Sequence, residues 1–187
     1  MGQLALGQSQ RPRVRATVNV SVLDPCADHF DAQLEYILHT HGVSPGQLDI
    51  EITERALVEQ TRLLDEAANR VAALGVGLSL DDFGTGFASL RRLRQMPLAE
   101  IKIDRSYVNR IAHSPADRAI VATIHDIANV LGLRLVAEGI EDEQTARILA
   151  DLDGVIGQGW LYARPMTAQQ LVLWLEHRRD GALPGTD

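Results

Sequence analysis

Aromatic residues make up only 4% of this chain, and cysteine occurs once, at Cys26. A lone cysteine cannot close an intramolecular disulfide, which excludes a secreted disulfide scaffold. No apolar run approaches the ~20 residues of a membrane span. The opening MGQLALGQSQRPRVR lacks a basic segment followed by an apolar one, so it does not read as a signal peptide. Leu6 stands where a myristoylation signal wants Ser or Thr. These absences predict a soluble, cytoplasmic protein with no membrane partner. Basic charge is short as well: 18 Lys and Arg against 25 Asp and Glu leave a net charge of −7. A protein that coats a nucleic acid polymer presents a broad basic face, so no such partner is expected. A small anionic ligand remains compatible, because bound cations reverse the sign of a local site.

What the chain does have is an ordinary globular balance, 45% hydrophobic and 23% charged over 187 residues, enough for one domain. Residues 1–12 read as a loose N-terminal segment, and 178–187 (RDGALPGTD after Arg178) as a flexible tail rich in turn formers. Between them, over 13–177, a short apolar run followed by a stretch with helical spacing recurs six times. The runs are VRATVNVSVL to Leu23, LDIEIT (Leu48 to Thr53), VGLSLDD, AEIKID (Ala99 to Asp104), LRLVAEGI and the weaker VIGQGW. Helical signals follow each of them. Ser114-Pro115-Ala116-Asp117 supplies an N-cap, a proline at N1 and an acid at N3, and Thr167 with Gln170 forms a capping box for the last helix. Six βα units in order predict an α/β fold with a parallel sheet. No glycine-rich phosphate turn follows the first run, so a dinucleotide-binding sheet has no fingerprint here. A TIM-like (β/α) barrel needs eight units and typically ~250 residues. The expectation is therefore an incomplete barrel with about six of its eight units.

Barrel enzymes place their chemistry at the C-terminal ends of the strands, and the polar residues of this chain gather there. Asn19 lies in the first run; Glu51 lies in the second, with Glu54 just beyond. Asp81 and Asp82 end the third, Lys102 and Asp104 lie in the fourth, Glu138 ends the fifth with Glu141 beyond it, and Gln158 falls in the sixth. A charge on a barrel strand is costly to bury unless it is paired or metal-bound. Oxygen donors without sulfur suit Mg²⁺ or Mn²⁺, and adjacent aspartates can bridge two cations ~3.5–4 Å apart, as in in-line phosphoester displacement. Lys102 is suited to steady a phosphate as a point charge, and Glu138 to position or deprotonate a water. A glycosidase using Glu51 and Glu138 is the competing enzyme reading, but sugar sites want stacking aromatics, which are scarce here, and an acid pair plus a lysine is not their pattern. The run Arg91, Arg92, Arg94 reads as a solvated face or a dimer contact, and Trp160 and Trp174 read as packing residues.

At these residues the sequence resembles the EAL domain family, the cyclic di-GMP-specific phosphodiesterases of bacterial signalling. The matching segments are TVNVS (17–21), DIEITE (49–54), LDDFGTGFASLRRL (80–93), IKIDRSYV (101–108), VAEGIE (136–141) and GQGWLYARP (157–165). On this reading the resemblance runs from about Arg13 to about Glu176. It implies two divalent cations, Mg²⁺ or Mn²⁺: Asn19, Glu51 and Asp81 hold one, and Asp81 with Asp82 the other. Glu138 serves the water as general base or outer ligand, and Lys102 orients that nucleophile. Gln158 lies near the metals and Glu141 near the substrate. The loop DDFGTGFASL links the metals to a dimer contact, with Glu54 as its anchor. The implied reaction is hydrolysis of cyclic di-GMP to linear pGpG. The family's E-A-L motif, which gives a metal-ligating Glu and a nearby substrate-binding Arg, finds no match in MGQLALGQSQ. The chain is thus expected to lack the first strands of the barrel. That leaves enzymatic competence open, with a catalytically impaired domain that binds cyclic di-GMP or a protein partner as the alternative. A homodimer or another chain is expected to cover the open barrel edge.

Overall fold

The computed structural model describes residues 14–21, 29–58, 62–86 and 89–179. The expected loose N-terminal segment, most of the tail, Cys26 and the end of the first apolar run lie outside the described residues. Six strands form one sheet: β1 (Ala16–Asn19), β2 (Leu48–Thr53), β3 (Gly77–Phe83), β4 (Glu100–Ile103), β5 (Arg134–Ala137) and β6 (Val155–Gly157). Their order in space is their order in the chain, and every neighbouring pair is parallel. Helices follow each strand: α1 (Phe30–His41), α2 (Glu54–Val58), α3 (Arg62–Ala73), α4 (Leu90–Gln95), α5 (Arg105–Val108), α6 (Pro115–Leu131), α7 (Glu143–Ala150) and α8 (Ala168–Arg179). Consecutive parallel strands joined by helices curl the sheet into a half-barrel of six βα units.

Alternation along each strand decides which face meets the helices, because successive side chains point to opposite faces. Ile50 and Ile52, Leu78 and Leu80, Ile101 and Ile103, and Leu135 and Ala137 are all buried and join one apolar cluster with Leu64, Val71, Val108, Val121, Ile124 and Leu149 from the helices. Each large aliphatic buried there contributes about 1.5–3 kcal/mol. The alternate positions make the opposite, concave face almost wholly polar: Asp49, Glu51, Ser79, Asp81, Glu100, Lys102, Arg134 and Glu138.

The helix starts are set locally. Ser114 Oγ accepts the Asp117 amide, Asp142 Oδ1 accepts the Thr145 amide, and Thr167 and Gln170 bond reciprocally. Two short helices, α2 and α5, were not legible as separate elements. Asp104, expected at the end of the fourth strand, instead caps α5 by accepting the Ser106 amide at 2.9 Å. The basic run on α4 also divides. Arg91 and Arg94 are exposed, but Arg92 is buried, its Nε donating to the Leu57 carbonyl and its Nη2 lying 2.5 Å from Asp65 Oδ1. The solvated-face reading therefore fails for Arg92, because that position of α4 turns inward to reach Leu57 on α2 and Asp65 on α3.

At the N-terminal end of the concave face lies a second polar group, in which Asp49, Ser79 and Glu100 are buried and Arg134 is half-buried. Arg134 Nη2 donates to Asp49 Oδ2 at 2.6 Å and its Nε to Glu100 Oε2 at 3.0 Å, while Ser79 Oγ donates to Glu100 Oε1 at 2.8 Å. Asp49 lies on β2 and Arg134 on β5, so their bond crosses two intervening strands. Gly77 makes room for it, since a Cβ there would sit 1.9 Å from Asp49 Oδ1.

Candidate active site

The strand ends opposite that network bring the acids together. Glu51 leaves β2 two residues above Asp49, Asp81 leaves β3 two above Ser79, Lys102 leaves β4 two above Glu100, and Glu138 follows the last residue of β5. One carboxylate oxygen from each of Glu51, Asp81 and Glu138 falls within 4.8 Å of the others. Lys102 stands among them. Its ammonium donates to Glu51 and pairs with Glu138, and it lies 3.7 Å from Asp81 Oδ1. Glu51 is 3% exposed, and burial raises its pKa against the lowering effect of Lys102. Burial works against the charge of Lys102, but its bonds to Glu138 and Glu51 outweigh that and push its pKa above the ordinary lysine range.

Asp82 sits beside this group with a left-handed backbone, φ +56°. Burial, the neighbouring Asp81 and then Asp104 raise its pKa. Asp104 thus bears on Asp82 as well as heading α5. Asn19 lies directly across from Glu51 in the β1–β2 register. Glu54, at the start of α2, is buried and turns its Oε2 to the backbone amides of Gly84 (3.0 Å) and Gly86 (2.8 Å), in the turn that follows the aspartate pair. Phe87 and Ala88, further along that loop, lie outside the described residues.

Gln158 and Glu141 meet in a cavity of about 550 Å³ that opens beside Glu138 and is walled by Trp160, Tyr162, Arg164 and Arg105. Trp160 is 54% exposed, with the Arg164 guanidinium 4.7 Å from its ring centroid. It is not the packing residue that its sequence suggested, because the segment after β6 turns its ring onto the cavity. A tryptophan just beyond a Gly-Gln-Gly strand end, with an arginine four residues on, was the signal that sequence reasoning passed over.

The donor set suits hard divalent cations. It is all oxygen, it converges from three strands, and Asp81 Oδ1 is buried without a hydrogen-bond partner among the described residues. A lysine inside a carboxylate cluster at the C-terminal end of a parallel half-barrel defines a (β/α)-barrel protein whose strand ends carry the site.

Comparison with known proteins gives the particular class. Residues 1–165 match the model of the EAL domain, and the chain belongs to that family. The match starts upstream of Arg13, where the motif reading began, and stops at Pro165, short of Glu176. The chain is 34% identical over 175 residues to the cyclic di-GMP phosphodiesterase PA2567 of Pseudomonas aeruginosa, covering 94% of this chain and 30% of that relative. It thus spans less than a third of that relative's length. Among solved structures it resembles the PaMucR phosphodiesterase in complex with cyclic di-GMP (TM-score 0.78, 37% identity, 84% of this chain and 64% of that one). It also resembles the manganese and cyclic di-GMP complex of Klebsiella pneumoniae BlrP1 (TM-score 0.76, 28% identity, 81% and 39%). Among the described residues no helix is long and apolar enough to cross a membrane.

Proposed function

We propose that this chain hydrolyses cyclic di-GMP to linear pGpG, with Mg²⁺ or Mn²⁺ at the strand-end carboxylates. The observation that carries the reading is the convergence of Glu51, Asp81 and Glu138 around Lys102, with the buried Asp81 Oδ1 lacking a hydrogen-bond partner among the described residues. Support comes from the relative named as a cyclic di-GMP phosphodiesterase and from the similar fold solved with manganese and that dinucleotide. Asn19, Glu51 and Asp81 hold one cation, and Asp81 with Asp82 a second. Bound there, the cations supply charge stabilisation for in-line displacement at phosphorus. Glu138 accepts the proton of the attacking water as general base. Lys102 bridges Glu138 and Glu51, offsetting their mutual repulsion, and keeps the nucleophile in line. The water oxygen bonds to phosphorus as the P–O3′ bond breaks and the departing O3′ takes a proton from solvent, which leaves the 5′-phosphate and the free 3′-hydroxyl of pGpG. Glu141 and Gln158 take the substrate beside Trp160, whose face offers a purine base a stacking surface next to Arg164. The reaction belongs to the cytoplasm, and a second chain, identical or not, covers the edges of β1 and β6 that no strand among the described residues pairs.

The test is to incubate the purified chain with cyclic di-GMP and Mn²⁺ and to resolve the products by chromatography, with Glu138→Gln alongside. Production of pGpG by the wild type, reduced about 100-fold or more in the variant, is the expected result. No product, together with tight binding of the nucleotide in Ca²⁺, would overturn hydrolysis in favour of a receptor-like domain.

A further inference from the structure

The turn that follows the aspartate pair is held from two sides, and only one of them is a carboxylate. Asp82 has φ +56° and Gly84 φ +102°. Left-handed backbone at a non-glycine residue persists only where the surroundings over-determine it. The turn closes on itself through the Asp82 carbonyl, which accepts the Thr85 hydroxyl at 2.9 Å and the Thr85 amide at 3.4 Å. Glu54 takes the amides of Gly84 and Gly86. The carbonyl of Gly84 faces the other way, and the hydroxyl of Tyr107 donates to it at 2.5 Å. The fit is close: a Cβ at Gly84 would lie 2.9 Å from Tyr107 Cε2. Tyr107 itself is half-buried on α5, the helix that Asp104 caps directly after the strand carrying Lys102.

We propose that Tyr107 is a positioning residue whose hydroxyl clasps the Gly84 carbonyl, locking the turn on α5 and thereby fixing Asp82 where a divalent cation can reach it. The N–H groups of Gly84 and Gly86 are tied to α2 by Glu54, and the C=O group of Gly84 is tied to α5 by Tyr107. The turn is thus stretched between the helix after β2 and the helix after β4. Losing the hydroxyl frees one end while leaving the ring packing intact, so the left-handed state of Asp82 competes with relaxed backbone. The inference rests on the reading of Asp81 and Asp82 as cation-holding carboxylates.

Two measurements on Tyr107→Phe separate the clasp from that reading. The first is amide hydrogen exchange of the segment containing Gly84 and Gly86 in metal-free protein. The second is Mn²⁺ alone titrated into the protein, with free Mn²⁺ followed by electron paramagnetic resonance. Loss of one hydrogen bond is expected to speed exchange in that segment about 3- to 10-fold, and to raise the half-saturating Mn²⁺ concentration by a similar factor, with the thermal midpoint nearly unchanged. Unchanged exchange would overturn the clasp whatever the metal does. Faster exchange with an unaltered Mn²⁺ midpoint would overturn the positioning role. A wild type that takes up no Mn²⁺ removes the metal reading and the positioning role with it, while the exchange comparison still decides the clasp.

Discussion

Lys102 is the side chain on which the acid cluster depends when no cation is bound. It is buried, it donates to Glu51 and Glu138, and it stands 3.7 Å from Asp81. Replacing it by Met keeps much of the aliphatic volume but leaves three carboxylates facing one another, one of them fully shielded from solvent. Lys102→Met is therefore expected to destabilise the metal-free chain by about 3–5 kcal/mol in urea unfolding, with Mn²⁺ restoring a large part of the loss, since a divalent cation would neutralise the same oxygens. Equal loss with and without Mn²⁺ would mean that Lys102 matters for packing rather than for charge. These residues were legible because polar side chains interrupt apolar strand runs where only pairing or a ligand tolerates them. Trp160 and Arg164 were not, since an aromatic after a strand end reads as core until the chain's turn is known. Tyr107 was hidden for a related reason: its partner is a backbone carbonyl, which carries no sequence signal.

At the scale of elements, the six βα units could be read from their alternating apolar runs and caps, because each strand packs its own helix locally. The short helices α2 and α5 could not, since five and four residues are too few for a helical period to emerge. The pairing across the concave face also escaped the sequence. Asp49, Glu100 and Arg134 look like ordinary strand-start charges, and only the curl of the sheet brings β2 and β5 within reach over β3 and β4. Gly77 is the element that permits this bond, as a Cβ there would stand 1.9 Å from Asp49 Oδ1. Gly77→Ala is expected to displace Asp49 from Arg134 and cost about 1–3 kcal/mol of stability, read from the urea midpoint at constant slope. A loss below about 0.5 kcal/mol would show that β2, β4 and β5 keep their register without the network.

For the whole molecule, site and stability are coupled through protons. Burial raises the pKa of Glu51, and burial with Asp81 and Asp104 raises that of Asp82. A carboxylate with a raised native pKa holds its proton in the folded state after the unfolded chain has released it. The folded state then binds more protons, and by linkage stability falls as pH rises through the ordinary carboxylate range, about 4, and up to the raised values. A cation held by these carboxylates would reverse this, because it would bind the ionised oxygens and have to displace those protons. Mn²⁺ is accordingly expected to raise the thermal midpoint little at acidic pH and increasingly toward about pH 8. At roughly a hundredfold excess over its dissociation constant the gain is about 2.7 kcal/mol, or roughly 5–10 °C for a domain of this size. Thermal melts at matched ionic strength, with and without Mn²⁺, decide it. A Mn²⁺ shift that stays constant across pH would mean that the cation binds somewhere other than Glu51 and Asp82. A shift that grows with pH and vanishes in Asp82→Asn would tie the stability of the half-barrel to the turn after β3.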